Sequence, residues 1–416
     1  MKLLEKNIYN RLDHNMQTDP NENYEILLKI LTEAKIKHIP KKNRRFNKRK
    51  DKKEKWMTDE LLTQINKKND MYVDWKTNSR SIDIYNNKKI NFKTYERIVD
   101  RSIIETKKLY YHNTFQNIKN SMKKTWKTIN ETLGKGHTKR ELPASVLHMG
   151  IQINDPVEIA NVFNDYFANI GTNLNTSMHN DHENNMFKQY LQTPSTHSCT
   201  FESISENDIL DIINKMENKS SSGFDCISNK ILKYIKHEIS KALTVIINQM
   251  LANGIFPTSL KISKIIPLHK KGDLNSLNNY RPISLLPTLS KIFERVIYNQ
   301  LYNYFTRKNL LSEQQYGFRS KHSTELAAIK LVDYITQQID QKKTPVNVYI
   351  DLSKAFDTLN FNILLYKLHY YGVTGAAFEL LKSYLTDRKQ YVISDFVVLL
   401  YVFSNVSTHS HLYRCI

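Results

Sequence analysis

Residues 346–357 have the sequence Val-Asn-Val-Tyr-Ile-Asp-Leu-Ser-Lys-Ala-Phe-Asp, a short apolar run that leads into two carboxylates. Val346 to Ile350 follow a proline and are rich in β-branched and aromatic side chains, which predicts a strand. Asp351 comes directly after it, where a fixed backbone would present its carboxylate to a hard cation such as Mg²⁺. Because a surface Asp at the end of a strand is common, this stretch alone is weak support for a metal site.

Further motifs lie in order around Asp351, most of them upstream. They are KSSSGFD (219–225), ILK (231–233), IIPLHKKG (265–272), NYRPISLL (279–286), QYGFR (315–319) and SYLTDRKQ (383–390). Each motif is short and by itself unspecific, but their number, order and spacing make a chance match a poor explanation.

Together these motifs resemble the sequence blocks of a reverse transcriptase from a non-long-terminal-repeat retrotransposon, most similar to the jockey-like elements of animals. The resemblance covers roughly residues 200–392. Residues 92–171, which include Trp126 and NVFNDYF (161–167), resemble the connector between endonuclease and polymerase in these elements. The implied fold is the fingers and partial palm of a right-hand polymerase behind a helical basic N-terminal region. Local patterns predict a capping box at Ser205 and Asp208, an edge strand at Lys264–Leu268 because it contains Pro267, and helices over Tyr24–Ile36, Leu289–Phe305 and Leu364–Leu385. This mixed order of predicted helices and strands also favours the α+β class.

The resemblance implies an RNA-directed DNA polymerase, a nucleotidyltransferase that acts through two metal ions, Mg²⁺ or Mn²⁺. Asp351 would be the catalytic aspartate that ligates the first metal. Phe356 would lie under the incoming sugar and exclude a 2′-hydroxyl by shape, and Asp357 is interpreted as structural support. The partners would be an RNA template, a DNA primer and deoxynucleoside triphosphates, and the oligomeric state is left open.

The resemblance also assigns residues to the nucleotide and to the template. Lys270, or its neighbour Lys271, and Arg281 would contact the triphosphate, where positive charge is needed during phosphoryl transfer. A further block would lie beside the template path, although a packed turn with a surface Arg explains it equally well: Gly317, Phe318 and Arg319.

Part of the expected site is missing from the sequence. After Asp357 the acidic residues are Glu379, Asp387 and Asp395, and no two of them are adjacent. The family's later hairpin would carry an aromatic-x-Asp-Asp sequence, and its Gly-rich block would follow residue 390. The motifs therefore predict a truncated polymerase that ends near Val392, followed by an unrelated apolar and polar tail. Such a chain is predicted not to extend a primer.

Charge is unevenly distributed along the 416 residues, whose formal net charge is +20. The first 140 residues hold 34 Lys and Arg against 17 Asp and Glu, and ten of the basic residues lie between Lys41 and Lys55. This asymmetry favours a polyanionic partner, but a solvated surface or a nuclear-import patch is an equal alternative. The aromatic stripe from Phe92 to Leu133 could stack on bases, yet at helical spacing it is more often core.

The composition shifts predict five regions: 1–55, basic and largely disordered; 56–171, a helical connector; 172–200, a polar linker; 201–392, fingers and partial palm; and 393–416, the tail. The longest apolar run, Phe396 to Phe403, is far shorter than the ~20 residues of a membrane helix. The three cysteines match neither a zinc site nor a disulfide framework. No signal peptide is apparent, so an intracellular protein, nuclear or cytoplasmic, without a membrane partner is expected.

Two other functions remain open at this point. The first is a non-catalytic, nucleic-acid-binding remnant of a retrotransposon that uses the basic N-terminal region to hold phosphates. The second is a decayed element without a selected activity.

Overall fold

The computed structural model describes residues 19–39, 54–77, 81–133, 142–175, 187–191, 194, 196–352, 359–394 and 397–398. Phe356 and Asp357, most of the basic block from Lys41 to Lys55, and most of the tail lie outside these residues. The chain divides into two compact units, one of residues 41–140 and one of residues 1–40 with 141–416.

Helices and strands alternate without a simple repeat, as expected for the α+β class. In chain order they are α1 (Pro20–His38), α2 (Asp59–Thr77), α3 (Ile82–Ile118), α4 (Met122–Thr132), β1 (Val146–His148), β2 (Ile151–Ile153), α5 (Pro156–Asn175), α6 (Glu206–Lys215), α7 (Asn229–Tyr234), α8 (Lys236–Asn253), β3 (Ile262–His269), β4 (Tyr280–Leu285), α9 (Ser290–Arg307), α10 (Thr324–Asp340), α11 (Phe361–Tyr370), α12 (Gly375–Leu385), β5 (Lys389–Ser394) and β6 (Val397–Val398). Among the described residues, no helix combines the length and the apolar character needed to span a membrane.

The unit of residues 41–140 is built on the packing of α2 against α3. Trp75 of α2 stacks on Phe92 of α3 with ring centroids 5.5 Å apart, and both side chains are buried. Val99, seven residues after Phe92 on α3, is also buried, whereas Leu109 and Trp126 are 62% and 57% exposed. The predicted aromatic stripe is therefore core in its first part and surface in its second.

Helix α1 is part of the main core of the larger unit, so residues 20–38 form a packed helix within the region 1–55. Asp19 caps the helix by accepting from the backbone N–H of Asn21 at 2.9 Å, a common way to satisfy a helix N-terminus. Tyr24, Leu27 and Leu31 recur at helical spacing and are buried. The apolar stripe outweighs the polar composition of the segment because α8 and α9 offer it a partner.

A sheet with strand order β4-β3-β5-β6 lies beside this core. Strand β3 pairs antiparallel with β4 and parallel with β5. Pro267 predicted an edge strand, but β3 is an internal one. The sheet tolerates this proline because it lies opposite Pro282 and beyond Ile265, the last residue of β3 that pairs with β5. Neither proline then has to donate to a neighbouring strand.

Residues 142–175 pack on this sheet, so the boundary predicted at residue 171 is wrong. Phe163 of α5 meets the ring of Tyr280 edge-on at 4.8 Å. The side-chain amide of Gln390 donates to the carbonyl of Asn164 at 3.2 Å. Leu147 of β1 donates to the carbonyl of Asn275 at 2.9 Å. These contacts bridge more than 100 residues of sequence and join the β1–β2 hairpin and α5 to the larger unit.

Two local predictions have different outcomes. Ser205 and Asp208 form the expected capping box at the start of α6, with each side chain accepting from the other residue's backbone N–H. The single helix predicted from Leu364 to Leu385 is instead two helices, α11 and α12. The chain turns between them at Gly372, whose φ of 92° is readily adopted only by glycine.

Candidate nucleotide and template site

The β3–β4 hairpin carries the basic residues predicted to contact a triphosphate. Leu268 pairs with Arg281, and the backbone N–H of Lys270 donates to the carbonyl of Asn279 at 2.8 Å, which continues the same register. Because side chains alternate along a strand, Lys270 and Arg281 lie on one face of the hairpin, and Lys271 lies beyond the paired positions. All three side chains are exposed. The register therefore places Lys270, and not Lys271, at a paired position on the same face as Arg281.

Hydrogen bonds within the turn fix the shape of the hairpin tip. The phenol of Tyr280 donates to the carbonyl of Leu274 at 2.8 Å, and the amide of Asn279 donates to the carbonyl of Asp273 at 2.9 Å. Gly272 has a φ of 89°, and a Cβ there would lie 2.7 Å from the Asn279 side chain. Burial, with help from Asp273, raises the pKa of Tyr280 and keeps it a hydrogen-bond donor. The tip is therefore held in shape by the residues of its own turn.

The KSSSGFD motif lies against the end of the hairpin. A Cβ on Gly223 would lie 2.5 Å from the backbone nitrogen of Pro287 and 2.6 Å from the carbonyl carbon of Leu286, so the two chain segments nearly touch. The hydroxyl of Thr288 donates to the carbonyl of Ile227 at 2.6 Å. Burial raises the pKa of the adjacent Asp225 carboxyl to about 6, and Lys35 and Lys291 reduce the shift.

A buried glutamate on α9 and a buried arginine just before β5 both form hydrogen bonds with Tyr384 of α12. Glu294 of α9 accepts from the hydroxyls of Ser290 and Tyr384, each at 3.0 Å. Arg388, which precedes β5, is fully buried and donates to the carbonyl of Tyr384 at 2.9 Å. Burial raises the pKa of Glu294, and the field of Arg388 lowers it. The SYLTDRKQ motif thus fixes β5, and through it β3, against the helices.

The block predicted to lie beside the template forms a turn after α9. Arg319 donates to the carbonyl of Ser312 at 2.5 Å, a contact within the turn itself. Phe318 has a φ of 60°, unusual for a bulky residue, and its ring is 57% exposed. A Cβ on Gly317 would meet nothing within 4 Å. The turn thus anchors Arg319 and presents Phe318 to solvent.

Sequence reasoning missed the aromatic face of α9 that adjoins this turn. Tyr298 and Tyr302 stack with centroids 5.3 Å apart, and Arg295 lies 5.2 Å over the Tyr298 ring. The Tyr302 hydroxyl accepts from the backbone N–H of Ser320 at 3.1 Å. A small cavity between helix and turn is lined by Leu301, Tyr302, Phe305, Leu311, Gln315, Phe318 and Arg319. The two tyrosines are four residues apart in a predicted helix, and this spacing was the signal that could have identified the face.

The strand predicted before Asp351 is not formed. Residues 343–352 have no regular secondary structure, and Val346 and Ile350 are 84% and 82% exposed. No described strand pairs with them, and α10, which precedes them, has no buried residue. A strand needs a neighbour for its backbone hydrogen bonds, so the local β-pattern was not sufficient. Asp351 itself is exposed.

Comparisons with known proteins find similar sequences for about half of the chain. A family model described as reverse transcriptase (RNA-dependent DNA polymerase) matches residues 268–413. The probable RNA-directed DNA polymerase from transposon BS of Drosophila melanogaster is 36% identical over 206 residues, 48% of this chain and 22% of that protein. The RNA-directed DNA polymerase from mobile element jockey of the same species is 29% identical over 209 residues, 50% of this chain and 23% of that protein. Residues 268–413 are therefore similar to a reverse transcriptase domain, and about half of the chain is similar to polymerases of jockey-like mobile elements.

The chain spans less than a quarter of the length of these relatives. A third, the probable RNA-directed DNA polymerase from transposon X-element of Drosophila melanogaster, is 31% identical over 44% of this chain and 20% of its own length. The reverse transcriptase match runs to residue 413, past Val392, where the sequence motifs end. The tail predicted to be unrelated therefore lies largely within the matched range, and its residues 397–398 extend the sheet as β6.

The described residues within the range that matches the reverse transcriptase model do not fit a two-metal centre. Asp351 is exposed, and within the described ranges no three His, Cys, Asp or Glu side chains are grouped to hold a metal ion. Hard divalent cations of this kind take several oxygen ligands. The predicted roles of Asp351 and Phe356 remain predictions, the latter because Phe356 lies outside the described residues.

Proposed function

We propose that residues 201–392 are the fingers and partial palm of an RNA-directed DNA polymerase of a mobile element. The observation that carries this proposal is the hairpin face with Lys270 and Arg281, two residues within the range 268–413 that matches the reverse transcriptase family model. Two exposed cations on one face of a rigid turn can hold the phosphates of a deoxynucleoside triphosphate. The turn at residues 317–319 and the adjoining face of α9 are the surface for an RNA template paired with a DNA primer.

We also infer that the 416-residue chain by itself does not extend a primer. The finding that supports this is the setting of Asp351, which is exposed and belongs to no group of three or more potential metal ligands in the described ranges. One metal ligand without its partners loses the charge stabilisation of the second metal, worth several kcal/mol or about a thousandfold in rate. The test is primer extension on an RNA template with Mg²⁺ and, separately, Mn²⁺. Primer extension by the wild-type chain that disappears in Asp351→Ala would overturn the inference of inactivity while supporting the polymerase assignment.

A second candidate function is nucleic-acid binding by the unit of residues 41–140. This unit holds 28 Lys and Arg against 11 Asp and Glu, whereas residues 1–40 hold six of each. The entire positive excess of the first 140 residues therefore lies in one compact unit, in which Lys76 lies 4.4 Å over the ring of Trp75. Such a charge density favours phosphates over a neutral partner.

Salt dependence tests the second candidate. With about six phosphate contacts, affinity should fall by about a thousandfold between 50 and 200 mM salt. Anisotropy titrations of a labelled RNA at these two salt concentrations measure that slope. A flat response would exclude this candidate and leave the polymerase assignment untouched.

A further inference from the structure

A group of aromatic rings lies on the larger unit, away from the β3–β4 hairpin in sequence. It is formed by α11 and by a short 3-10 helix, Phe187–Tyr190. Phe187 meets Tyr366 edge-on at 5.4 Å, Tyr366 stacks on Tyr370 at 6.4 Å and 22°, and Tyr370 meets Tyr371 edge-on at 5.7 Å. These four rings, in unbroken contact, are called the tyrosine patch.

The tyrosine patch is not the side of α11 that holds the helix in the fold. Leu368 is 4% exposed and belongs to the main core, whereas Tyr366 is 41% exposed. Tyr366 and Tyr370 are one turn apart and share a face. The Tyr366 ring is exposed and the Tyr370 ring is half-buried, so Tyr366 is the ring on this face that another ring can reach most readily.

Lysines flank the rings in a reciprocal arrangement. The Nζ of Lys188, from the 3-10 helix, lies 4.9 Å from the ring centre of Tyr366, and the Nζ of Lys367, from α11, lies 5.7 Å from that of Phe187. Neither 187–191 nor 359–374 contains an Asp or Glu. The patch thus combines aromatic faces with positive charge and has no carboxylate on its own segments to repel an anion.

We propose that the tyrosine patch binds single-stranded nucleic acid, with the bases stacked on Tyr366 and Tyr370 and the backbone held by Lys188 and Lys367. A single strand fits because its bases are free to stack on a ring, whereas those of a duplex are occupied by one another. This binding needs neither Asp351 nor a metal ion, so it goes beyond the polymerase role.

Photo-crosslinking of the full chain tests the proposal. The probe is a single-stranded DNA of about 12 nucleotides carrying 5-iodouracil, a length within the site sizes of single-strand binders. The reaction is run at about 0.3 M salt to suppress binding that depends on counterion release. Tyr366→Ala should reduce crosslinking to the peptides of α11 at least about fivefold, as expected for the loss of one stacked base. Lys188→Gln should reduce it as well. Tyr234→Ala removes a 72% exposed tyrosine outside the patch and should change nothing.

The outcomes separate this proposal from its alternatives. Crosslinks at Tyr366 or Tyr370 that decrease in Tyr366→Ala but not in Tyr234→Ala would support it. Crosslinks confined to the unit 41–140 or to the turn at 317–319 would overturn it without affecting the polymerase assignment. Equal crosslinking of a duplex of the same sequence would overturn the single-strand specificity. Circular dichroism of each variant excludes misfolding as the cause of a loss.

Discussion

The near-contact at Gly223 makes a sharp test of how the β3–β4 hairpin is held. In Gly223→Ala the new Cβ would lie 2.5 Å from the nitrogen of Pro287 and 2.8 Å from the carbonyl oxygen of Leu286. Both obstacles are backbone atoms, which cannot rotate away as a side chain can. Overpacking of this kind costs about 1–3 kcal/mol, and the rigid neighbours place the cost at about 3. The entropy gained by replacing Gly with Ala offsets less than about 1 kcal/mol.

Gly317→Ala is the matched control, because nothing lies within 4 Å of a Cβ at that position. Its free energy of unfolding should stay within about 0.5 kcal/mol of wild type. The tryptophans Trp56, Trp75 and Trp126 all lie in the unit 41–140. Unfolding of the larger unit is therefore followed by circular dichroism and by amide exchange of β4, not by tryptophan fluorescence. Equal stability of Gly223→Ala and Gly317→Ala would refute the close approach of the two segments.

Three further predictions concern the core, a buried carboxyl and the nucleotide. Leu27→Ala should destabilise the larger unit by about 3 kcal/mol in urea unfolding, because it empties a fully buried site on α1, whereas Ile36→Ala on the exposed side should cost less than about 0.5. Burial raises the pKa of the Asp225 carboxyl to about 6, so this group keeps its proton in the folded state at pH values where the unfolded chain has released it. The free energy of unfolding should therefore fall by up to about 3 kcal/mol from pH 4 to pH 7, and Asp225→Asn should remove that part of the slope. An unchanged slope in this variant would contradict the prediction. Lys270→Ala should weaken deoxynucleoside triphosphate binding in equilibrium dialysis by about tenfold and Lys271→Ala by less than twofold; the reverse order would contradict the register.

Much of the local structure was predictable because its cause is local. The stripe of Tyr24, Leu27 and Leu31 and the cap formed by Ser205 with Asp208 are encoded within a few residues. The helix α9 was predicted for the same reason, and the half-buried tyrosines Tyr298 and Tyr302 on it could have been found by the same spacing.

Other features depend on partners far away in the sequence and could not be predicted. Phe163 belongs to the larger unit because it meets Tyr280, more than a hundred residues later, and no pattern around residue 163 contains that information. The strand predicted from Val346 to Ile350 is not formed, for the opposite reason. Its local pattern is that of a strand, but a strand also needs a neighbour, and no described residue supplies one.

The distribution of charge determines what a binding experiment on this chain will measure. The unit 41–140 has an excess of 17 positive charges, whereas the nucleotide face of the hairpin depends on Lys270 and Arg281. At low salt, counterion release from many phosphates exceeds the contribution of two cations by several kcal/mol, so total affinity reports on the basic unit alone. Raising the salt removes that term steeply, while base stacking on the tyrosine patch decreases far less. A Tyr366 variant should therefore look silent in nucleic-acid binding at 50 mM salt and become distinct from wild type at about 0.3 M. If it is equally silent at both concentrations, the tyrosine patch does not contact nucleic acid.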